Sequence, residues 1–328
     1  MHNTRPCYSA AVPISTPNNK LLRGFRSVLA VVVFVGVAVA LWRLMGRWDG
    51  RSVQIHWLPV VVSIGVLTLA NYFQALAWKY LLEQMAGKVV PFRQVFSVFM
   101  AGQLARYTPG KVALPMVRIA GAPKLGLSAR LIAASVGIEV GTWLGVGALV
   151  GFGTLLINLG PFENIPGISR TLLLAGLGAT LLGFAVALGV DRNRFPVWLQ
   201  KLLRTEGQGP FVSWRVVAMQ LISWVGWWLL GILAPLSVGA PLADAVQMSP
   251  VFIVAPILGF LAIVAPGGLG VRETVISYAL APHIGASAAL AAAVLARATA
   301  ILSEIIGWVL GIVWERRQLR WEGATRSR

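Results

Sequence analysis

Runs of about twenty apolar residues, recurring along the chain with almost no charge inside them, constrain this sequence more than any other feature. They cover residues 27–45, 57–82, 130–158, 171–190, 211–237 and 287–313. Crossing a hydrocarbon layer of about 30 Å takes roughly 20 apolar residues in helical form. In lipid the backbone must satisfy its own hydrogen bonds, which a helix does. The sequence therefore reads as an all-α integral membrane protein with about six full transmembrane helices. Composition agrees, because only 12% of the 328 residues are charged, half the roughly 25% of an ordinary soluble domain.

Two further apolar segments, about 93–120 and 249–284, are interrupted near their middles. The first break is Tyr107-Thr108-Pro109-Gly110-Lys111, and the second is Ala265-Pro266-Gly267-Gly268-Leu269-Gly270. Proline removes a helical hydrogen bond and glycine frees the backbone, so Pro109, Gly110, Pro266, Gly267, Gly268 and Gly270 mark the ends of helices. Such breaks are tolerated in a membrane where protein or a wet cavity covers the exposed groups.

The loops orient the chain. Cytoplasmic loops carry excess Lys and Arg, and 191–215 holds Arg192, Arg194, Lys201, Arg204 and Arg215, while the tail holds Arg316, Arg317 and Arg320. Loops 159–170 and 238–250, marked by Glu163 and Asp244, are expected outside. The loop with Arg43, Arg47 and Arg51 votes the other way and leaves the first helix open. With this orientation each broken segment must begin and end on one side, so each is expected to be a re-entrant hairpin, the two dipping in from opposite faces. The pattern Pro109-Gly110, Arg118, Gly126-Leu127-Ser128 recurs as Pro266-Gly267, Arg272, Gly285-Ala286-Ser287, each followed by an alanine-rich helix with one charge, Glu139 or Arg297. The halves, about 57–158 and 211–313, thus read as an inverted repeat, a construction of secondary transporters with the site at the repeat interface.

Charges inside such spans cost about 2.5–3.5 kcal/mol each on insertion scales and face protein or water. Glu139, Arg272, Glu273, Arg297 and Glu304 are therefore candidate substrate-binding residues, together with Lys111 and Arg118 beside the first break. Two readings stand side by side. One is a mid-depth pocket whose cations, with the N–H groups of the half-helix after Gly268, hold a phosphate. The other is a set of structural ion pairs that fix the hairpins in register. For Lys111 and Arg118 the simple expectation is snorkelling to headgroups. Trp57, Trp78, Trp214 and Trp314 near span ends suggest an interfacial belt.

Several classes fall away. The net charge of +17 lies in short loops and tails, where it meets anionic headgroups rather than nucleic acid. Cys7 is the single cysteine, so no intrachain disulfide forms. His2, His56 and His283 lack metal-ligand spacing, no ATP-binding G-x-x-x-x-G-K-[ST] loop occurs, and no cofactor is expected. Residues 1–26 read as a disordered cytoplasmic tail, the run from Ser27 as a retained anchor rather than a cleaved signal, and 316–328 as a basic cytoplasmic tail.

Three motifs carry a resemblance: Ala77-Trp78-Lys79-Tyr80-Leu81-Leu82; Tyr107-Thr108-Pro109-Gly110-Lys111-Val112 with Arg118 and Gly126-Leu127-Ser128; and Pro266-Gly267-Gly268-Leu269-Gly270-Val271-Arg272-Glu273 followed by Arg297. Over roughly 27–315 the chain resembles the transmembrane, flippase-like domain of lysylphosphatidylglycerol synthases, which also occurs as stand-alone proteins. It departs from the family at Ala113-Leu114, where many members carry Gly-Glu, and at Val140 after Glu139, where an Arg is common. The resemblance implies lipid translocation in the bacterial cell inner membrane. The cargo it implies is an anionic phospholipid, a polyprenyl-linked lipid or a hopanoid, and a separate lipid-modifying enzyme is a conceivable partner. Trp314–Arg328 is too short to fold as the soluble aminoacyl-transferase domain, so a complete synthase is not expected. Translocation without catalysis is the leading expectation. The alternatives are a membrane-embedded transferase, against which stand isolated carboxylates with no Asp-x-x-Asp pair, and a non-catalytic subunit of a lipid-modifying enzyme.

Overall fold

Apolar surface on every side and a backbone that must pair within itself leave these segments little choice but helix. The computed structural model describes residues 53–107, 112–157, 170–189, 212–262 and 265–326, with residue 266 and residues 317–326 described by their backbone only. The helices are α1 (Trp57–Ala86), α2 (Phe92–Ala105), α3 (Ala113–Ala120), α4 (Ala122–Leu125), α5 (Ala129–Ile157), α6 (Arg170–Gly189), α7 (Trp214–Leu236), α8 (Leu242–Met248), α9 (Val251–Leu261), α10 (Val271–Ile284) and α11 (Ala286–Arg326), and no strand occurs among the described residues. Among the described residues, six stretches are long and apolar enough to cross a membrane: α1, α5, α6, α7, α8 running into α9, and α11 over Ala286–Arg316.

Five of these match expected spans; 27–45 lies outside the described residues. The sixth begins earlier than expected. Residues 242–248, read as a loop, are helical after Pro241, with Asp244 in the first turn, where a carboxylate favours the helix dipole. Asp244 thus marks a helix start as much as an outward loop. The helix α1 ends at Gly87, whose φ of 64° lets its N–H reach the Glu83 carbonyl, a common left-handed stop.

The helix α11, 41 residues long, is the axis on which both broken segments lie. Along it α2 runs antiparallel: Phe92 and Phe96 meet Trp314, Ser97 backs Gly311, Met100 covers Gly307, and Arg106 reaches Glu304. The chain then returns through α3 and α4, where Lys124 binds Glu315 at 2.6 Å and Lys88 Nζ donates to the Gly126 carbonyl at 2.7 Å. The other segment lies at the opposite end. There α10 joins α11 through Gly285 alone and packs Ala279 and Leu280 among Ala289, Ala292 and Ala293, while α9 lies against α10. From Ala286 to Trp314 is about 42 Å of helix at 1.5 Å per residue, so the two pairs approach α11 from ends about that far apart. Tyr107, the last described residue before the first break, meets the second break between those ends. A β-carbon on Gly267 would sit 2.5 Å from the Tyr107 ring and 3.0 Å from Arg297 Nη2.

Small residues allow the closest helix approaches. Where α7 crosses α8 and α9, a β-carbon on Gly231 would lie 2.6 Å from the backbone oxygen of Ser249, whereas one on Gly65 of α1 would meet nothing within 4 Å. Backbone cannot yield as a flexible side chain can. Gly231→Ala is therefore expected to lower stability by about 1–3 kcal/mol, read from unfolding in detergent, while Gly65→Ala does not lower it.

Candidate functional site

The two broken segments are built alike at their arginines. In the first, Gly102 of α2 leaves room for the Arg118 side chain, and a β-carbon there would lie 2.8 Å from Arg118 Cγ; in the second, Gly259 of α9 does the same for Arg272 at 2.5 Å. Each guanidinium lies over a tryptophan, of α1 in the first segment and of α7 in the second: Arg118 is 4.7 Å from the Trp78 ring centre and 4.3 Å from that of Phe99. Arg272 is 5.7 Å from the Trp227 ring. Cation–π contact of this kind is worth most where water is excluded.

The surroundings of the two differ. Arg118, 1% exposed, donates from Nη1 to Glu139 Oε2 at 2.9 Å. The other Glu139 oxygen faces Gln74 Nε2 at 3.5 Å. Gln103 Nε2 donates to Gln74 Oε1 at 3.1 Å, and Arg106 Nη1 donates to Gln103 Oε1 at 3.4 Å. Arg106 then pairs with Glu304. A continuous polar chain thus runs from Arg118 to α11. Arg272 is 6% exposed yet has no carboxylate within 4 Å among the described residues. Its Nη2 faces the Pro256 carbonyl at 3.5 Å, and its Nε has no partner.

At the meeting of the breaks, Arg297 Nη2 donates to the Gly267 carbonyl at 3.0 Å, and its Nε lies 3.7 Å from Glu273 Oε1. Glu273 Oε2 accepts the Gly270 N–H at 2.7 Å. The left-handed backbone of Gly267 and Gly268, with φ of 56° and 74°, is one that side chains disfavour. A β-carbon at Gly268 would also strike the Gly259 backbone at 2.7 Å. The centre of the Tyr107 ring lies 5.0 Å from the Arg297 guanidinium and 5.6 Å from that of Arg106.

Two small cavities, each of about 20 Å³, lie at these arginines. One is lined by Arg272, Glu273, Arg297, Trp227, Pro256 and alanines of α11. The other is lined by Arg106, Arg118, Glu139, Gln74, Gln103 and Trp143. Each has room for about one water.

The structure thus brings together Arg118 with Glu139, Arg297 with Glu273, and Glu304 with Arg106. Lys111, Pro109 and Gly110 lie outside the described residues. Two expectations need correction. Arg118 does not snorkel, because Glu139 and two aromatic faces hold it inside the protein. Trp78 is buried, donating from Nε1 to Ser135 at 3.0 Å, and does not belong to a belt; Trp57 and Trp214 are exposed. At the head of α10 the Gly270 N–H is taken by the Glu273 carboxylate. Sequence reasoning passed over Arg106, Gln74 and Gln103. A signal existed for Gln74, an amide in the middle of an apolar span, and for Arg106, the last cation before the first break. No group of three metal-binding side chains occurs among the described residues.

Helices that cross a bilayer and enclose charged groups define a multi-pass membrane protein. The chain matches the family described as the lysylphosphatidylglycerol synthase TM region over residues 24–307, and it belongs to that family. No curated protein matches it.

Removing one partner of a buried ion pair strands the other, at a cost of about 3–5 kcal/mol. Arg118→Gln is expected to lose that much stability, and Arg118→Gln with Glu139→Gln is expected to lose less than the single variant. A double-variant loss equal to the sum of the singles in denaturant unfolding would deny the pair any coupling.

Proposed function

We propose that this protein is a lipid translocase of the bacterial inner membrane, moving an anionic or lipid-linked headgroup past the junction of its two broken segments without altering it chemically. The observation that carries this reading is the convergence on Arg297 of two helical breaks arriving from opposite ends of α11. At 14 and 8 residues, α2 and α3 measure about 21 and 12 Å, too short to span about 30 Å of hydrocarbon. This supports a re-entrant hairpin for the first segment. The likeness of the Gly102–Arg118–Trp78 and Gly259–Arg272–Trp227 arrangements, and of the left-handed Gly126 and Gly285 ahead of α5 and α11, supports an inverted repeat, for which a mid-membrane site is the usual consequence.

In this mechanism the headgroup passes through the polar junction while its acyl chains stay in lipid. Arg297 and Arg272 attract the phosphate, and Glu273 holds Arg297 against the second break when no cargo is present. Arg106, Glu304 and the amides of Gln74 and Gln103 tie the first hairpin to α11, so movement of one break is felt by the other. With no ATP-binding loop in the sequence, transport runs down the lipid gradient or draws on an ion gradient or partner.

Arg297→Ala and Glu273→Ala, reconstituted in vesicles at wild-type abundance, are expected to cut leaflet exchange of a labelled phospholipid at least tenfold. Exchange at the wild-type rate in both removes the junction from the mechanism, and a new lipid species in the wild-type vesicles would favour a transferase. The opposed hairpins are tested by chemical labelling in a Cys7→Ser background. Lys88→Cys and His283→Cys are expected to react with a membrane-impermeant thiol reagent from opposite sides of the membrane. Reaction of both from one side defeats the geometry.

A further inference from the structure

We propose that Glu304 is a proton-binding site, and that a proton on its unpaired oxygen releases the first broken segment from α11. The proposal gives the junction described above an energy source, and it rests on the translocase reading for the work that the proton drives.

Three carboxylates are buried inside the helices among the described residues, Glu139, Glu273 and Glu304, and their surroundings set them apart. Glu139 is held at both oxygens, by Arg118 at 2.9 Å and by Gln74 at 3.5 Å. Glu273 accepts the Gly270 N–H at Oε2 and faces Arg297 with Oε1. Loss of its charge would leave Arg272 and Arg297 together in one cavity. Glu304 has a single partner, Arg106, on Oε1, and its Oε2 is buried with no hydrogen bond. Hydrogen bonds to a carboxylate favour its charged form, so the least supported of the three is the one best placed to take a proton. The proton then enters at an oxygen where no bond has to be broken first.

Depth and access agree with this. By helical rise Glu304 stands about 27 Å from Ala286 and about 18 Å from Arg316, inside the span that α11 provides. Its partner is less sealed than the arginine of the other segment-to-helix pair, with 11% of the Arg106 side chain open against 1% of Arg118. Arg106 also lines the cavity shared with Gln74 and Gln103, which has room for about one water. Buried carboxylates within a membrane serve as proton relays in pumps and transporters.

The neighbours of α11 define what the proton changes. From α2 come Arg106 and Tyr107. From α1 come the neutral amides Gln74 and Asn71, the latter donating to Ser303 at 3.2 Å. The α7 span has no ionisable side chain from Val216 to Leu236. Arg272 and Glu273 of α10 and Arg297 of α11 stand at the second break, with Tyr278 and His283 further along α10. While Glu304 is charged, Arg106 is tied to α11 and the Tyr107 ring lies against Gly267. Water on one side of the membrane then gives up a proton, an O–H bond forms at Oε2, and the carboxylate becomes a neutral acid. The ion pair ends, and Arg106 and Arg297, 5.6 and 5.0 Å from the centre of the Tyr107 ring, repel each other in a low-dielectric interior. The two breaks part. Water on the other side takes the proton back, and the pair forms again.

The test reads the proton and the transport separately. In nanodiscs holding the full chain, infrared spectra are expected to show a protonated-carboxyl band that grows as pH falls. The band is expected to vanish in Glu304→Gln, to return in Glu304→Asp, and to persist in Glu139→Gln and Glu273→Gln. Arg106→Gln, which removes the cation opposing the proton, keeps the proposal open to refutation if Glu304→Gln fails to fold; it is expected to show the band at every pH examined. In vesicles, an imposed pH gradient is expected to speed wild-type exchange of a labelled phospholipid at least tenfold, and Glu304→Gln is expected to ignore the gradient. A band that survives Glu304→Gln, or one that titrates in Arg106→Gln as in wild type, overturns the site. Wild-type exchange that proceeds at one rate with and without the gradient overturns the coupling and leaves translocation standing. A band that belongs to Glu304 in a wild type that exchanges nothing upholds the proton site and defeats the translocase reading.

Discussion

A helix broken inside an apolar layer leaves backbone groups with no water to turn to, and the rest of this molecule is arranged around meeting that need. At the second break the Gly267 carbonyl receives an N–H from Arg297, and the Gly270 N–H is taken by the Glu273 carboxylate. Two side chains that would be costly alone are thus made tolerable by the backbone they serve, and the break is made tolerable by them. Each side of this exchange explains the other, since an unpaired group in either set costs several kcal/mol in hydrocarbon. The same Arg297 that holds Gly267 also places its Nε 3.7 Å from Glu273 Oε1, so the side chains that serve the break also balance each other's charge.

Much of this was legible from residue types. Long charge-free runs gave the helices because hydrocarbon permits almost nothing else. Pro266-Gly267-Gly268 gave the second break because left-handed backbone at two successive positions admits little but glycine. Glu139, Arg272, Glu273, Arg297 and Glu304 stood out because ionised groups are rare in apolar spans. What residue types did not give was the pairing. Arg297 and Glu304 lie two turns apart on α11, yet each is bound to a different segment. Pairing depends on how α2 and α10 meet α11 in space, and helical spacing within one element carries no information about that. The same applies to Arg118. A cation near a segment's end usually reaches for water, and only the approach of α5, Trp78 and Phe99 shows that it turns inward. Gln103 looked ordinary in sequence because an amide near a helix end is common; its place in a chain reaching Glu304 follows from packing alone.

Glycine, arginine and tryptophan meet in a similar way in both broken segments, but what completes the two clusters differs. Exact symmetry would give two equivalent arginines, both satisfied or both bare. Placing a glutamate on α5 and an arginine on α11 breaks that equivalence: one arginine is held by a partner from its own chain, while the other is surrounded by unoccupied donors. A fixed ion pair resists rearrangement because separating it in a low-dielectric interior is costly. Among the described residues, Arg272 is held by a ring face and a long contact to a carbonyl, whereas the first segment is tied through Gln74, Gln103 and Arg106 to Glu304.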